Sequence, residues 1–279
     1  MFTLNCKGRL LVVDKALVMG IINVTPDSFY QGSRFKEKDE ILSQAEKMIS
    51  AGADILDIGG QSTRPGSEQI SEGEELKRVI AAIGAVHQKF PGTIISIDTY
   101  RANIAKEAVN AGASIVNDIS AGTMDNEMIA TVATLQAPFI VMHMKGRPET
   151  MQQNPVYENV TREVLDFFIK KTDECKKAGI HDLIVDPGFG FGKTIRHNFE
   201  LLKDLSVFKM LDAPILVGLS RKSTVYKTLE ISIDEALNGT TVLNTIALMN
   251  GAGILRVHDV KEAKEAVKLW SMVTNETEK

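Results

Sequence analysis

Gly253-Ile254-Leu255-Arg256-Val257-His258-Asp259 is the stretch that decides the fold, a short apolar run that breaks into charged side chains at its far end. The same grammar recurs along the chain. Leu17 to Ile22 runs into Asn23, Ile94 to Ile97 into Asp98, Ile115-Val116 into Asn117 and Leu183 to Val185 into Asp186, while Pro214 to Val217 leads on to Lys222. With Ile55 to Ile58 and Pro138 to Met142 the chain offers eight candidate strands. Eight is the number a (β/α)8 barrel needs, and that barrel builds its active site from the C-terminal ends of its strands. Polar side chains gathered at those ends point to an enzyme.

The runs are nearly continuous rather than alternating, as expected of parallel strands whose outer face is covered by helices. Amphipathic, charge-rich segments separate them, and Gly52, Gly112, Gly179 and Gly251 each fall where a helix would end and a strand begin. The longest helical pattern spans Tyr157 to Lys177, with Val160, Val164, Phe167 and Phe168 on one face. Ahead of the first strand, Thr3 to Asn5 and Leu10 to Val13 flank a Lys7-Gly8 turn, which predicts a hairpin closing the barrel bottom. No low-complexity segment interrupts the chain. The expectation is one α/β domain over 1–279, a single TIM barrel with a short N-terminal β-hairpin within 1–16.

Composition narrows the partners. The 279 residues are 44% hydrophobic and 24% charged, enough for one large core. A net charge of −4 without a Lys/Arg-rich block gives no footprint for nucleic acid or an anionic membrane, so a small-molecule substrate is expected. Cys6 and Cys175 stand alone, without the spacing of a disulfide framework or a zinc site. No apolar run reaches the roughly 18 residues of a membrane span, and the N-terminus lacks a signal-peptide core. A soluble cytoplasmic protein is expected.

The loops after the strands carry the chemistry. Asn23-Val24-Thr25-Pro26-Asp27-Ser28-Phe29 follows the first barrel strand, and Gly59-Gly60-Gln61-Ser62-Thr63-Arg64-Pro65-Gly66 the second. Asp186-Pro187-Gly188-Phe189-Gly190-Phe191-Gly192-Lys193 follows the sixth, and Ser220-Arg221-Lys222-Ser223 and Arg256-Val257-His258-Asp259 complete the set. At these motifs, nearly end to end, the chain resembles the dihydropteroate synthases. The resemblance implies condensation of 6-hydroxymethyl-7,8-dihydropterin pyrophosphate with p-aminobenzoate, with loss of pyrophosphate, in folate synthesis.

It also implies roles. Asp98, Asn117 and Asp186 would grip the pterin edge, Lys222 would bond an acceptor on the same ring and Arg256 would lie over its face. A dihydropterin edge sets ring N–H and amino donors beside acceptors, so these residue types suit it, and a planar, weakly hydrated guanidinium suits stacking. Asn23, Arg256 and His258, with Thr63 and Arg64, would hold the pyrophosphate, Asn23 also lying on Mg²⁺. Magnesium keeps most of its waters, so one amide plus substrate phosphates is a fitting shell. Phe29, Thr63, Pro65, Phe191, Lys222 and Ser223 would seat p-aminobenzoate, its carboxylate at the helix start by Ser223, and sulfonamides would compete there. Lys222, Arg256, His258 and Asn23 form the implied catalytic set for an SN1-like substitution. The family also tends to form homodimers through its C-terminal helices, and Val242 to Met249 is an apolar helical stretch suited to that.

Plainer readings compete. Asp98 and Asp186 could be helix N-caps, and His258, with His143 even more so, an ordinary hydrogen-bonded structural histidine. Gly188 to Gly192 lacks dinucleotide-loop spacing and reads as a flexible substrate loop. Arg221 reads as a solvated charge, and Asp57 and Asp118 as interior carboxylates held in networks behind the site. One departure stands out: the family commonly has Ser-Asp-Gly-Gly after Phe29, where this chain has Tyr30-Gln31-Gly32-Ser33. The alternatives are a pterin-dependent methyltransferase-like barrel and a non-catalytic pterin-binding paralogue. The first lacks a corrinoid-binding domain, and the second would have lost part of the anion clamp.

Overall fold

Strand parity organises the whole molecule, because successive side chains of a strand point to opposite faces. In the computed structural model, which describes residues 1–24, 34–61 and 70–274, eight parallel strands form the barrel. They are β3 (Leu17–Asn23), β4 (Ile55–Gly59), β5 (Ile94–Asp98), β6 (Ile115–Asp118), β7 (Phe139–Met142), β8 (Leu183–Asp186), β9 (Leu216–Val217) and β10 (Ile254–Val257). Sequence neighbours pair around the ring, and β10 pairs β3 on one side and β9 on the other. The last seam, between β8 and β9, is closed by a bridge between Val185 and Ile215 and by the Val185 N–H donating to the Pro214 carbonyl.

Two of the expected strands are shorter than their apolar runs because proline cannot donate to a ladder. Pro138 and Pro214 stay outside β7 and β9 and contribute carbonyls instead, to Val116 and Val185. The helices around the barrel are α1 (Arg34–Ser50), α2 (Glu72–Lys89), α3 (Ala102–Asn110), α4 (Met128–Leu135), α5 (Val160–Lys177), α6 (Ile195–Lys203), α7 (Ser223–Leu229), α8 (Leu237–Met249) and α9 (Val260–Thr274). The predicted Tyr157 to Lys177 helix starts three residues late, because the Asn159 side chain accepts from the Arg162 N–H and caps it there. At 18 residues it only matches α2 in length. The four glycines between helix and strand all have positive φ.

Outward-facing strand residues such as Val18, Ile22, Leu56, Ile58, Ile95 and Ile97 bury against the helices. Inward, Met19, Ile55, Ile94, Ile115, Ile140, Ile184, Leu216 and Ile254 form an apolar layer, and Leu4, Cys6 and Val13 of the hairpin pack beneath it. The hairpin is β1 (Phe2–Cys6) against β2 (Arg9–Val13), antiparallel around the Lys7-Gly8 turn. Side chains of this layer and of the hairpin thus fill the bottom of the barrel.

Candidate active site

One two-residue step above the apolar layer, five of the eight inward positions are polar: Asp57 above Ile55, Ser96 above Ile94, Asn117 above Ile115, Asp186 above Ile184 and Arg256 above Ile254. One step higher stand Asp98 and His258. This parity brings residues from distant parts of the chain onto one floor. The Arg256 Nε donates to Asp57 Oδ2 at 2.6 Å and one terminal nitrogen to Asp98 Oδ2 at 2.5 Å. Asn117 Nδ2 donates to the same Asp57 oxygen at 3.0 Å. The other Asp57 oxygen is buried and receives no donor among the described residues.

Asp98 and Asp186 are therefore not helix caps. Asp98 pairs with Arg256, and the N-cap of α3 is Arg101. Asp186 Oδ1 accepts from the Gly188 N–H within its own loop, while α6 is capped by Thr194 in a capping box with His197. Lys222 reaches across the mouth from the start of α7, donating to the Phe189 carbonyl at 2.5 Å with its ammonium 4.8 Å from the centre of the Phe191 ring. Ser223 begins α7, and Asn23 ends β3 beside Gly59, whose other register partner is Asp98. Gly218 faces the same space, and a Cβ there would meet Lys222 Nζ and Arg256.

The electrostatics follow from burying three carboxylates among cations. Burial pushes Asp98 up to about 7 against the opposing pull of Arg256. Asp186 is likewise raised by burial, with Lys222 opposing. Burial lowers Lys222 to about 8, and Asp186 limits the fall. Burial works against the charge of Arg256 too, but Asp57 and Asp98 outweigh it and raise its pKa. The floor thus holds a fixed guanidinium and, in Asp98 and Lys222, two groups whose protons sit near neutrality, a setting characteristic of functional sites.

The loop from Asp186 to Lys193 is pinned rather than free. Lys193, 2% exposed, turns inward, its Nζ 2.9 Å from His143 Nδ1 and within 3.2 Å of the carbonyls of His143, Gly188 and Phe191. Burial first, then the charge of Lys193, hold the His143 ring neutral, down to about 2. Asn198 Oδ1 accepts from the Gly190 N–H, and the Tyr157 hydroxyl donates to the Gly192 carbonyl. A side chain at Gly188 or Gly192 would collide with the His143 or Lys145 carbonyl.

Arg221 is not a solvated charge either. Nε and one terminal nitrogen donate to the two Asp259 oxygens, both at 2.9 Å, and the other terminal nitrogen donates to the carbonyls of Ile233 and Asp234. One residue earlier, Ser220 Oγ lies 3.1 Å from His258 Nδ1. Asp118 sits behind the floor as a network carboxylate, accepting from the Ser120 N–H and hydroxyl and from the Gly122 N–H. Among the implied site residues, Phe29, Thr63, Arg64 and Pro65 lie outside the described residues, as does Gln31.

Residues 19–258 match the family described as pterin binding enzyme. The dihydropteroate synthase of Haemophilus influenzae is 45% identical over 274 residues, 98% of this chain and 99% of that one. Among solved structures, Yersinia pestis dihydropteroate synthase in a sulfonamide drug complex superposes with a TM-score of 0.92 at 40% identity, covering 98% of this chain and 100% of the other. Xanthomonas albilineans dihydropteroate synthase with 4-aminobenzoic acid gives 0.91 at 37% identity, covering 98% of each.

Proposed function

The chain belongs to the dihydropteroate synthases of the pterin-binding enzyme family, and we propose that its barrel mouth joins 6-hydroxymethyl-7,8-dihydropterin pyrophosphate to p-aminobenzoate by an SN1-like substitution. The observation that carries the site assignment is the charge-paired floor, with Arg256 shared between Asp57 and Asp98 and Asn117 on the same Asp57 oxygen. A dihydropterin edge needs acceptors for its N–H groups and donors for its ring acceptors. Asp98, Asn117 and Asp186 supply the first kind of contact, and Lys222 supplies a charged donor. The two carboxylates hold the guanidinium of Arg256 in one orientation, which suits stacking by a planar cation.

The C–O bond between the pterin methylene and pyrophosphate breaks first, and its electron pair leaves with the pyrophosphate. The ring delocalises the resulting cation, the neutral amine of p-aminobenzoate adds to it, and that nitrogen loses a proton. What the site must supply is stabilisation of a departing anion rather than a strong base. Asn23, Arg256 and His258 hold the pyrophosphate with Thr63 and Arg64. Phe191 and Lys222 line the p-aminobenzoate slot with Ser223, Phe29, Thr63 and Pro65.

Among the described residues no group of three or more histidine, cysteine or acidic side chains could hold a metal. The Asn23 amide oxygen, with pyrophosphate oxygens and waters, would make an acceptable shell for Mg²⁺. When bound, Mg²⁺ would neutralise charge on the leaving pyrophosphate.

The reading extends to a cytoplasmic homodimer. No described helix is long and apolar enough to cross a membrane. Both cysteines are free and buried, their thiols pushed up by burial to about 12, so neither is poised as a reactive thiolate. The dimer is supported by the apolar residues that α8 and α9 expose.

The test of the activity is pyrophosphate release by the full chain given the dihydropterin pyrophosphate, p-aminobenzoate and Mg²⁺, each omitted in turn. Release that needs both organic substrates, with a product of dihydropteroate mass, is expected. Tight pterin binding without release would overturn it.

A further inference from the structure

We propose that Ser220 is a positioning residue that holds His258 as the neutral tautomer with its proton on Nε2, so that the ring presents an N–H donor to pyrophosphate. The proposal rests on the reading above that His258 faces the leaving group.

Two contacts join the residues. The His258 backbone N–H donates to Ser220 Oγ at 3.2 Å, and the same oxygen lies 3.1 Å from His258 Nδ1. A hydroxyl carries one hydrogen and accepts through its lone pairs. The backbone N–H already uses the oxygen as an acceptor. If Nδ1 also carried a proton, the oxygen would accept twice, and the serine hydrogen would have no acceptor among the described residues at a site only 4% exposed. Buried donors without partners are costly. The arrangement closes when the hydroxyl donates to Nδ1, and a neutral imidazole that accepts at Nδ1 carries its proton on Nε2.

The neighbouring residues keep this contact in place. Arg221 grips Asp259 through two parallel hydrogen bonds, so the β9 and β10 loops are locked one residue beyond Ser220 and His258. Arg221 itself has φ +52°, with its N–H donating to Thr240 Oγ1, which fixes the turn on which Ser220 stands. A neutral donor at Nε2 is present before the substrate arrives and needs no proton from solvent. Its hydrogen bond strengthens as charge collects on the departing pyrophosphate, which is how preorganised donors accelerate such steps. Serine here does for His258 what a partner on the far nitrogen does for a metal-bound histidine: it selects the tautomer and fixes the ring.

The experiment uses the full chain labelled with ¹⁵N-histidine and long-range ¹H–¹⁵N spectra near pH 8, where an unperturbed imidazole is neutral. Of the five histidines, His258 is assigned by the signal lost in His258→Gln. The expected spectrum shows its Nδ1 unprotonated and its Nε2 protonated. Ser220→Ala is expected to populate the Nδ1–H form and to weaken inorganic pyrophosphate binding about tenfold, while binding of 6-hydroxymethylpterin, which lacks the pyrophosphate, stays within twofold. Ser220→Thr, which keeps the hydroxyl, is expected to restore the tautomer. A wild-type His258 protonated on Nδ1 overturns the proposal, as does an alanine variant in which neither tautomer nor pyrophosphate binding moves. The spectrum is read without substrate, so it stands apart from the turnover assay that tests the functional reading.

Discussion

Lys222 is an ammonium that burial has brought within reach of neutral pH. Its pKa is lowered to about 8 by burial, with Asp186 holding it from falling further. Below that value the side chain is charged and can donate to a ring acceptor of the pterin; above it the charge is lost. The sign follows directly: kcat/KM should fall as pH rises through about 8, and a profile flat from pH 7 to 9 would remove Lys222 from the binding set. Lys222→Ala should also weaken pterin binding and turnover, because a hydrogen bond from a charged group is worth roughly 1.5–3 kcal/mol, or about ten- to hundredfold in calorimetry and in kcat/KM. Arg256→Lys probes a different property. An ammonium cannot span Asp57 and Asp98 as the fork of Arg256 does. Breaking a buried pair leaves uncompensated charge and costs about 3–5 kcal/mol. A lower denaturation midpoint together with at least a tenfold loss of kcat/KM is expected, and unchanged turnover would dispose of the stacking role.

The loop after β8 shows how one side chain can shape an element. Three carbonyls and an imidazole nitrogen converge on the Lys193 amine, whose pKa burial lowers well below the usual lysine value, so the loop is folded around that one nitrogen, and its Phe189 carbonyl and Phe191 ring are what Lys222 meets. Lys193→Met keeps the length of the side chain but strands these acceptors, each worth about 1–3 kcal/mol when left buried without a donor. Chemical denaturation should show a loss of several kcal/mol, and the KM for p-aminobenzoate should rise more than that for the pterin substrate. Equal effects on both would mean that the loop matters only for folding. Nothing in Gly188-Phe189-Gly190-Phe191-Gly192-Lys193 announces this, because an inward lysine and a solvated one look alike in sequence. The barrel floor is different. Counting by two from Ile55, Ile115, Ile184 and Ile254 reaches Asp57, Asn117, Asp186 and Arg256, so strand periodicity alone predicts that they share a face. Proline 138 and proline 214 likewise explain the shortened strands. What escaped that counting were contacts between distant residues: Arg221 and Asp259 are 38 positions apart, and Asp98 and Arg256 are 158. Local sequence favours a cap at Asp98 and a solvated Arg221, and the closed barrel overrides both by bringing Arg256 to the one and Asp259 to the other.

At the scale of the whole molecule, two neighbouring helices near the C-terminal end carry a group of the exposed apolar residues. α8 exposes Val242, Ile246 and Met249, and α9 exposes Leu269, Met272 and Val273, the last at 73%. Scattered exposed aliphatics are ordinary, but a contiguous group on two adjoining helices marks an interaction surface. Val242, Ile246 and Met249 recur at helical spacing, so they form a stripe rather than a scatter. A second copy of the chain is the occupant proposed above, and a stable interface of that kind buries about 1,200–2,000 Å² in total. Replacing Ile246 and Leu269 together by glutamate would put two like charges per protomer into such an interface, where a buried unpaired charge is strongly unfavourable. Both residues are solvent-facing in the single chain, so the barrel itself should keep its circular dichroism and its denaturation midpoint. Sedimentation equilibrium should then report a dimer for the native chain and a monomer for the double variant. A native chain that sediments as a monomer over the micromolar range would refute the homodimer, and a double variant that remains dimeric would move the interface away from α8 and α9. The mouth of the barrel opens at the strand ends whereas these helices lie on its flank, so the monomeric variant should still release pyrophosphate. Loss of activity on dissociation would show instead that the partner copy supports the loops over the site.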